Sequence, residues 1–283
     1  MKIISTFFSV IFLVILLNTS IFSQTDTLHY GWTPAALVSI NLAQASFSNW
    51  TQGGEDALAW NFIGTGGAKY KNPDWTFKND LKLAYGRTKL GTDDYRTTDN
   101  EIYLESVISK NITWAVDPYF SNTLRTAVSS GYQYTDTSSV KVADFFDPGY
   151  LTQSLGFTYD HSEKFSTRLG VAIQEIFTNK FTFYSDDKST LEVEKTKIET
   201  GIESSSSLAY DIMENMLFKS NLRLFTTFKA MDVWDVRWDN AIVAKINSYI
   251  NVNLTWLVVY EKKQSPKTQA KETLQLGFTY ILL

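Results

Sequence analysis

The chain contains no cysteine. That excludes disulfides, thiolate metal sites, cysteine nucleophiles and a lipoprotein anchor, which needs an N-terminal Cys. Histidine is nearly as scarce, with only His29 and His161. A Ser–His hydrolase needs its base within reach of its nucleophile, whereas His29 precedes the first strand and His161-Ser162 reads as a solvated turn. An excess of one charge is also missing: 26 Lys and Arg stand against 30 Asp and Glu. There is no basic run or stripe, so no nucleic-acid partner is expected. Long apolar runs are confined to the start, MKIISTFFSVIFLVILLNTSIFSQ. Its apolar stretch, Ile3 to Leu17 behind Lys2, is shorter than the ~20 residues of a spanning helix and ends in small and polar residues. Residues 1–23 read as a signal peptide cleaved near Ser23, and 24–35 as a short periplasmic segment. The mature chain is expected to be exported without a helical anchor.

Aromatic residues, by contrast, are abundant: 15% of the chain, with 15 Tyr and 8 Trp, types suited to a boundary between apolar and wet surroundings. Apolar positions recur with a period of two, the mark of a strand with two unlike faces. In WTFKNDLKLAYG, Trp75, Phe77, Leu81, Leu83 and Tyr85 share one parity, and Lys78, Asp80 and Lys82 the other. The same pattern runs through 58–70, 114–128, 165–174, 216–229, 237–246 and 250–260. It is weaker in 36–46, 100–109, 150–160, 196–212 and 272–283. These segments predict about twelve strands, an even number, as in single-chain bacterial barrels.

The connections sort by length. Short turn-type links (71–74, 110–111, 160–163, 214–215 and 247–248) alternate with long ones (48–54, 88–99, 135–149, 185–195, 230–235 and 261–271). Outer-membrane barrels alternate in this way, with short periplasmic turns and long extracellular loops. On the proposed outward parity the strand middles carry no charge; Asn79, Asn122 and Asn240 are the polar exceptions. A lysine or arginine at the bilayer midplane costs ~2–4 kcal/mol, so lipid explains that face. Trp60 and Tyr70, like Trp75 and Tyr85, are ten residues apart, which for a tilted strand spans roughly the 25 Å between aromatic girdles. Trp256 and Tyr260 are further interface candidates.

The expected fold is therefore all-β: a closed antiparallel transmembrane β-barrel of about 12 strands over 36–283, following the signal peptide. In the last strand, Gln275-x-Gly277-x-x-Tyr280-x-Leu282 is similar to the signal by which outer-membrane barrels are handed to their insertion machinery, although Leu283 replaces the usual terminal aromatic. Several further features occur together: Asn49-Trp50 with Gly53-Gly54, Tyr70-Lys71, and Trp75 with Leu81, Leu83, Tyr85 and Gly86. Others are Arg96 with Asp99, Trp114, Phe120 with Leu124-Arg125-Thr126, Gly131-Tyr132, and Phe146 with Pro148 and Tyr150. On these residues, over roughly 37–160, the chain resembles an uncharacterised family of outer-membrane β-barrels from Bacteroidota, a domain of unknown function. The resemblance implies fold and location and brings no catalytic residue.

The inward parity supplies candidate lumen-lining residues: Lys78, Asp80, Lys82, Glu101, Glu105, Arg125, Arg168, Lys219, Arg223, Arg237 and Asp239, with Glu199 and Glu203 beside them. They mix both signs, which fits either a lumen closed by salt bridges or a hydrophilic conduit, and a twelve-stranded width does not decide between the two. The glycine-rich GTGGAKYK (64–71) lacks the phosphate-loop spacing and reads as bending strand. Asp93-Asp94, Asp144 with Asp147, and Asp186-Asp187 are each too small to hold a divalent cation and read as loop charge. Phe145-Phe146-Asp147-Pro148 would enter the lumen as a plug or lie outside against a partner. The expected protein is a non-enzymatic barrel in the outer membrane of a Gram-negative bacterium, without cofactor or metal. It would be a small channel, a surface-binding barrel or a structural partner in an envelope complex, and it would contact outer-membrane lipid and the barrel-insertion machinery. The alternatives are a lipid-modifying outer-membrane enzyme and a soluble exported barrel holding an apolar ligand.

Overall fold

The computed structural model describes residues 30–283 except 50, 52–53, 136–137, 161, 163 and 263–264. The signal peptide, His29, His161, Trp50 and Gly53 lie outside the described residues. Alternating sequence becomes strand almost throughout: β1 (Gly31–Ala45), β2 (Ala57–Lys71), β3 (Trp75–Leu90), β4 (Arg96–Lys110), β5 (Asp117–Thr126), β6 (Gly131–Tyr134) and β7 (Ser139–Ala143). There follow β8 (Gly149–Tyr159), β9 (Phe165–Phe177), β10 (Thr196–Met213), β11 (Met216–Thr227), β12 (Asp235–Lys245), β13 (Ile250–Tyr260) and β14 (Gln269–Ile281). Among the described residues twelve of these close into one barrel, in the order β1-β14-β13-β12-β11-β10-β9-β8-β5-β4-β3-β2, and β6 pairs only with β7. Every neighbouring pair in the barrel is antiparallel. No helix among the described residues is long and apolar enough to cross a membrane.

The barrel is inside-out relative to a water-soluble core. Among the described residues nineteen polar or charged side chains are buried, against six hydrophobic ones. The large apolar side chains point outward, as with Leu81, Leu104, Phe120, Leu155, Leu169 and Leu274. Charges on the outward face keep to the margins: Arg87, Lys89, Lys110, Glu175 and Glu272 each lie within three residues of a strand end. Period-two alternation forces this division, because antiparallel register partners share a face.

Several expected boundaries shift. β1 starts at Gly31, inside the segment expected to precede the barrel, because its backbone pairs with β2 along its whole length, from Gly31 opposite Lys71 to Ala45 opposite Ala57. Small residues such as Ala35 and Ala36 carry no apolar signal but do not impede that ladder. β5 starts at Asp117, so Trp114 and Val116 fall in a turn where Thr113 has φ 64° and the Ile112 amide donates to Asp117 Oδ1. β3 and β4 run on into the expected 88–99 loop and leave only 91–95, which turns at Gly91 with φ 47°. This link is shorter than the 111–116 turn, so the sorting of links by length is not strict. The other links at that end, 46–56, 127–148, 178–195, 228–234 and 261–268, exceed those opposite, and the 127–148 link contains the unexpected β6–β7 hairpin.

Candidate functional site

Inside the barrel, charged side chains from β3, β4, β5, β9, β10, β11 and β12 converge. Glu101 on β4 receives Lys82 Nζ at 3.2 Å and Arg237 NH2 at 2.9 Å, and the Arg237 Nε donates to Asp239 at 2.9 Å. Arg125 reaches Glu261 at 3.6 Å and lies over the Tyr150 ring. Nearer the short turns Arg168 pairs with Glu105, which also accepts from the Tyr103 hydroxyl at 3.0 Å. Arg223 pairs with Glu203 at 2.7 Å and donates to Gln174 at 3.0 Å and Thr152 at 3.3 Å. Lys78 pairs with Asp160 and Lys197 with Glu199.

The ring order gives these pairs a direction. β12 and β4 have five strands between them either way round, and so do β5 and β13. Arg237–Glu101 therefore joins opposite walls, as does Arg125 with Glu261, the residue following β13. The two bridges divide the lumen into a chamber of about 650 Å³ toward the short turns and one of about 380 Å³ toward the long links. Both chambers are lined by Glu101, Arg125, Tyr150 and Arg237, so these four form the septum together with Glu261, the partner of Arg125. The larger chamber is also lined by Asp80, Lys82, Glu105, Arg168, Glu203, Arg223 and Asp239, which gives its lining five acids and five bases. Lys219, three residues into β11, is exposed near the turn end.

A second network escaped the sequence reading because it is built mainly of uncharged amides, with Asp99 accepting from Asn61 at 2.9 Å at its edge. Asn41 donates to Asn61 at 2.6 Å, Asn253 donates to Asn41 at 2.8 Å, and Asn61 donates to Gln275 at 3.2 Å. These bonds draw β1, β2, β13 and β14 together. Gly277 leaves room for them, since a Cβ there would come within 2.5 Å of Asn41, Asn251 and Asn253. Of the C-terminal signal residues, Gln275 and Gly277 thus face the lumen, while Tyr280 and Leu282 are exposed.

Of the interface candidates, the Trp60–Tyr85 and Tyr70–Trp75 sets lie toward opposite ends of the barrel, whereas Trp256, opposite Asn240, lies in the middle of β13. Trp60 packs on Tyr85 at 6.0 Å toward the long links; Tyr70 packs on Trp32 at 5.2 Å, and Lys110 sits over Trp75, toward the turns. Trp32 is the second residue of β1, ahead of the expected strand start at residue 36. Trp256 stacks on Phe218 at 6.0 Å, and Tyr260 ends β13. GTGGAKYK is part of β2. In Phe145-Phe146-Asp147-Pro148 the rings are exposed, Pro148 lines the smaller chamber, and Asp147 accepts from the Asn179 and Lys180 amides. Among the described residues no acidic or histidine cluster could hold a metal ion; Asp93 pairs with Arg96 and Asp144 with Lys141.

Residues 42–132 match the family described as "Protein of unknown function (DUF3078)". No curated protein matches the chain. Similar solved structures include the translocator domain of autotransporter NalP from Neisseria meningitidis, at 12% identity over 90% of each chain and a TM-score of 0.40. An outer membrane channel from Pseudomonas putida F1 is 10% identical over 91% of this chain and 98% of that one, with a TM-score of 0.39. The Ralstonia pickettii toluene transporter TbuX is 8% identical over 90% of each chain, with a TM-score of 0.31.

Proposed function

We propose that this protein is a non-enzymatic barrel of a Gram-negative outer membrane that passes small polar solutes through its lumen, with the Glu101–Arg237 and Arg125–Glu261 septum as its gate. One observation carries the reading: two chambers lined by charged side chains meet at a barrier made of side chains alone. Long arginine and glutamate side chains change rotamer on the nanosecond scale, so such a barrier opens without moving a strand or a domain. The outward apolar face, with charges held at the strand ends, supports a lipid surround. Exposed Tyr280 and Leu282 on the last strand support recognition by the insertion machinery.

The test is conductance in a planar bilayer. The native barrel is expected to pass small, flickering currents, and Arg237→Ala to raise the open level several-fold. If native and Arg237→Ala barrels are both silent, although heat-modifiable migration shows them folded, the conduit reading fails and a structural barrel replaces it. Recovery of the native chain in the soluble periplasm without detergent would overturn the membrane reading.

A further inference from the structure

The outward face is apolar around most of the barrel, but a polar row crosses it on β3, β4, β5 and β8. Asn79 is the register partner of Ser106, Ser106 of Asn122, and Asn122 of Gln153. Register partners share a face, so these four side chains stand side by side on the outside. Ser106 donates to Asn79 Oδ1 at 2.6 Å. Neither Asn122 nor Gln153 has a hydrogen-bond partner among the described residues. The exposed side chains of Leu81, Leu104, Phe120 and Leu155 flank the row.

The row lies at membrane depth. Asn79 falls between Trp75 and Tyr85, and Asn122 is in the middle of β5. Hydrocarbon offers an amide neither donor nor acceptor, and lipid headgroups do not reach that depth. Elsewhere on the outward face Thr167 bonds Ser206, the Trp238 indole donates to Ser220, and Asn240, though unpartnered among the described residues, is buried by its neighbours. The Asn122 and Gln153 amides need a partner from outside. A carboxamide both donates and accepts, so a row of them complements a second copy of itself. Strands tilt in a barrel, so the row slants, and a two-fold axis along the membrane normal crosses two such rows near their centre at Ser106 and Asn122. A second copy also presents this chemistry at the same depth.

We infer that the Asn79–Ser106–Asn122–Gln153 row is the interface of a two-fold dimer of this chain within the membrane. The inference rests on the apolar face meeting lipid and not on conduction by the lumen. The absence of native cysteine makes the test clean: Asn122→Cys is treated with a short bis-maleimide in native membranes. Leu254→Cys, on the outward face of β13 across the barrel, serves as control. The expected result is an adduct of twice the chain mass for Asn122→Cys and not for Leu254→Cys. Asn79→Leu with Asn122→Leu should lower the dimer fraction about tenfold while heat-modifiable migration persists. Equal crosslinking at both positions, an adduct of any other mass, or an undiminished dimer in the leucine variant would overturn the inference. A silent but dimeric barrel would remove only the conduit reading.

Discussion

Asn240 lies in the middle of β12 on the outward parity, yet it is only 4% exposed, and neither its Nδ2 nor its Oδ1 has a partner among the described residues. Its register partners are Ser220, whose hydroxyl already accepts from Trp238, and Trp256, which stacks on Phe218. An unmet buried amide costs about 1–3 kcal/mol. Asn240→Leu should therefore stabilise the barrel by about 1–2 kcal/mol, read as a higher urea midpoint in detergent; an unchanged or lower midpoint would count against this reading. Gly277 poses the opposite case. A side chain there collides with Asn41, Asn251 and Asn253, so Gly277→Val should destabilise the refolded barrel by about 2 kcal/mol or more. If Gly277 served only the insertion machinery, the purified variant would be as stable as the native chain. Tyr280→Ala, on the exposed side, should instead lower assembly in cells and leave refolding in detergent unchanged.

The long links are fastened by their own polar contacts. In the β9–β10 link, Glu194 accepts from the Thr190 hydroxyl at 2.6 Å and the Asp187 amide at 2.9 Å; Asp187 in turn accepts from the Ser189 amide and hydroxyl. The Thr190 hydroxyl bond holds Glu194 below its ordinary range, and the Ser189 amide holds Asp187 below its own. A carboxylate depressed in the folded state stabilises above its unfolded value near 4 and loses that contribution as pH falls through the folded value. Limited proteolysis within 186–194 should therefore accelerate below about pH 4 while the barrel stays intact. A rate independent of pH would remove the carboxylates from that role. At this scale the sequence was legible wherever one face had to be apolar, so all twelve barrel strands could be read from parity. The β6–β7 hairpin could not, because outside the barrel neither of its faces needs lipid. The first residues of β1 were equally silent, since a run such as Gly31 and Ala35-Ala36 is placed by backbone pairing rather than by side-chain contrast.

Across the whole molecule, parity also told which charges face the lumen but not which of them meet. Height and angle around the ring decide that, and both depend on closure. Arg237 reaching Glu101 from the opposite wall was therefore invisible in the sequence, although both residues stood among the inward charges. The balance of five acids and five bases lining the larger chamber predicts weak charge selectivity in the native barrel. Arg237→Ala leaves Glu101 and Asp239 facing each other across the gap and should shift the reversal potential toward cation preference. Glu101→Ala should shift it the other way. If both variants shift in the same direction, the septum does not set selectivity.

The seam between β1 and β14 joins the barrel by only six register pairs, from Leu37–Ile281 to Leu42–Leu276, against fifteen between β1 and β2. Its partners are also far apart along the chain, with Ser39 bonded to Thr279 across 240 positions. Every other pair in the barrel joins strands close along the chain, whereas this one must close the largest loop in the molecule for the fewest register pairs in the barrel. Closure of the ring is thus expected to be the last and slowest event of folding and the first to reverse. In time-resolved hydrogen exchange, the amides of Leu37–Leu42 should be the last in the barrel to gain protection.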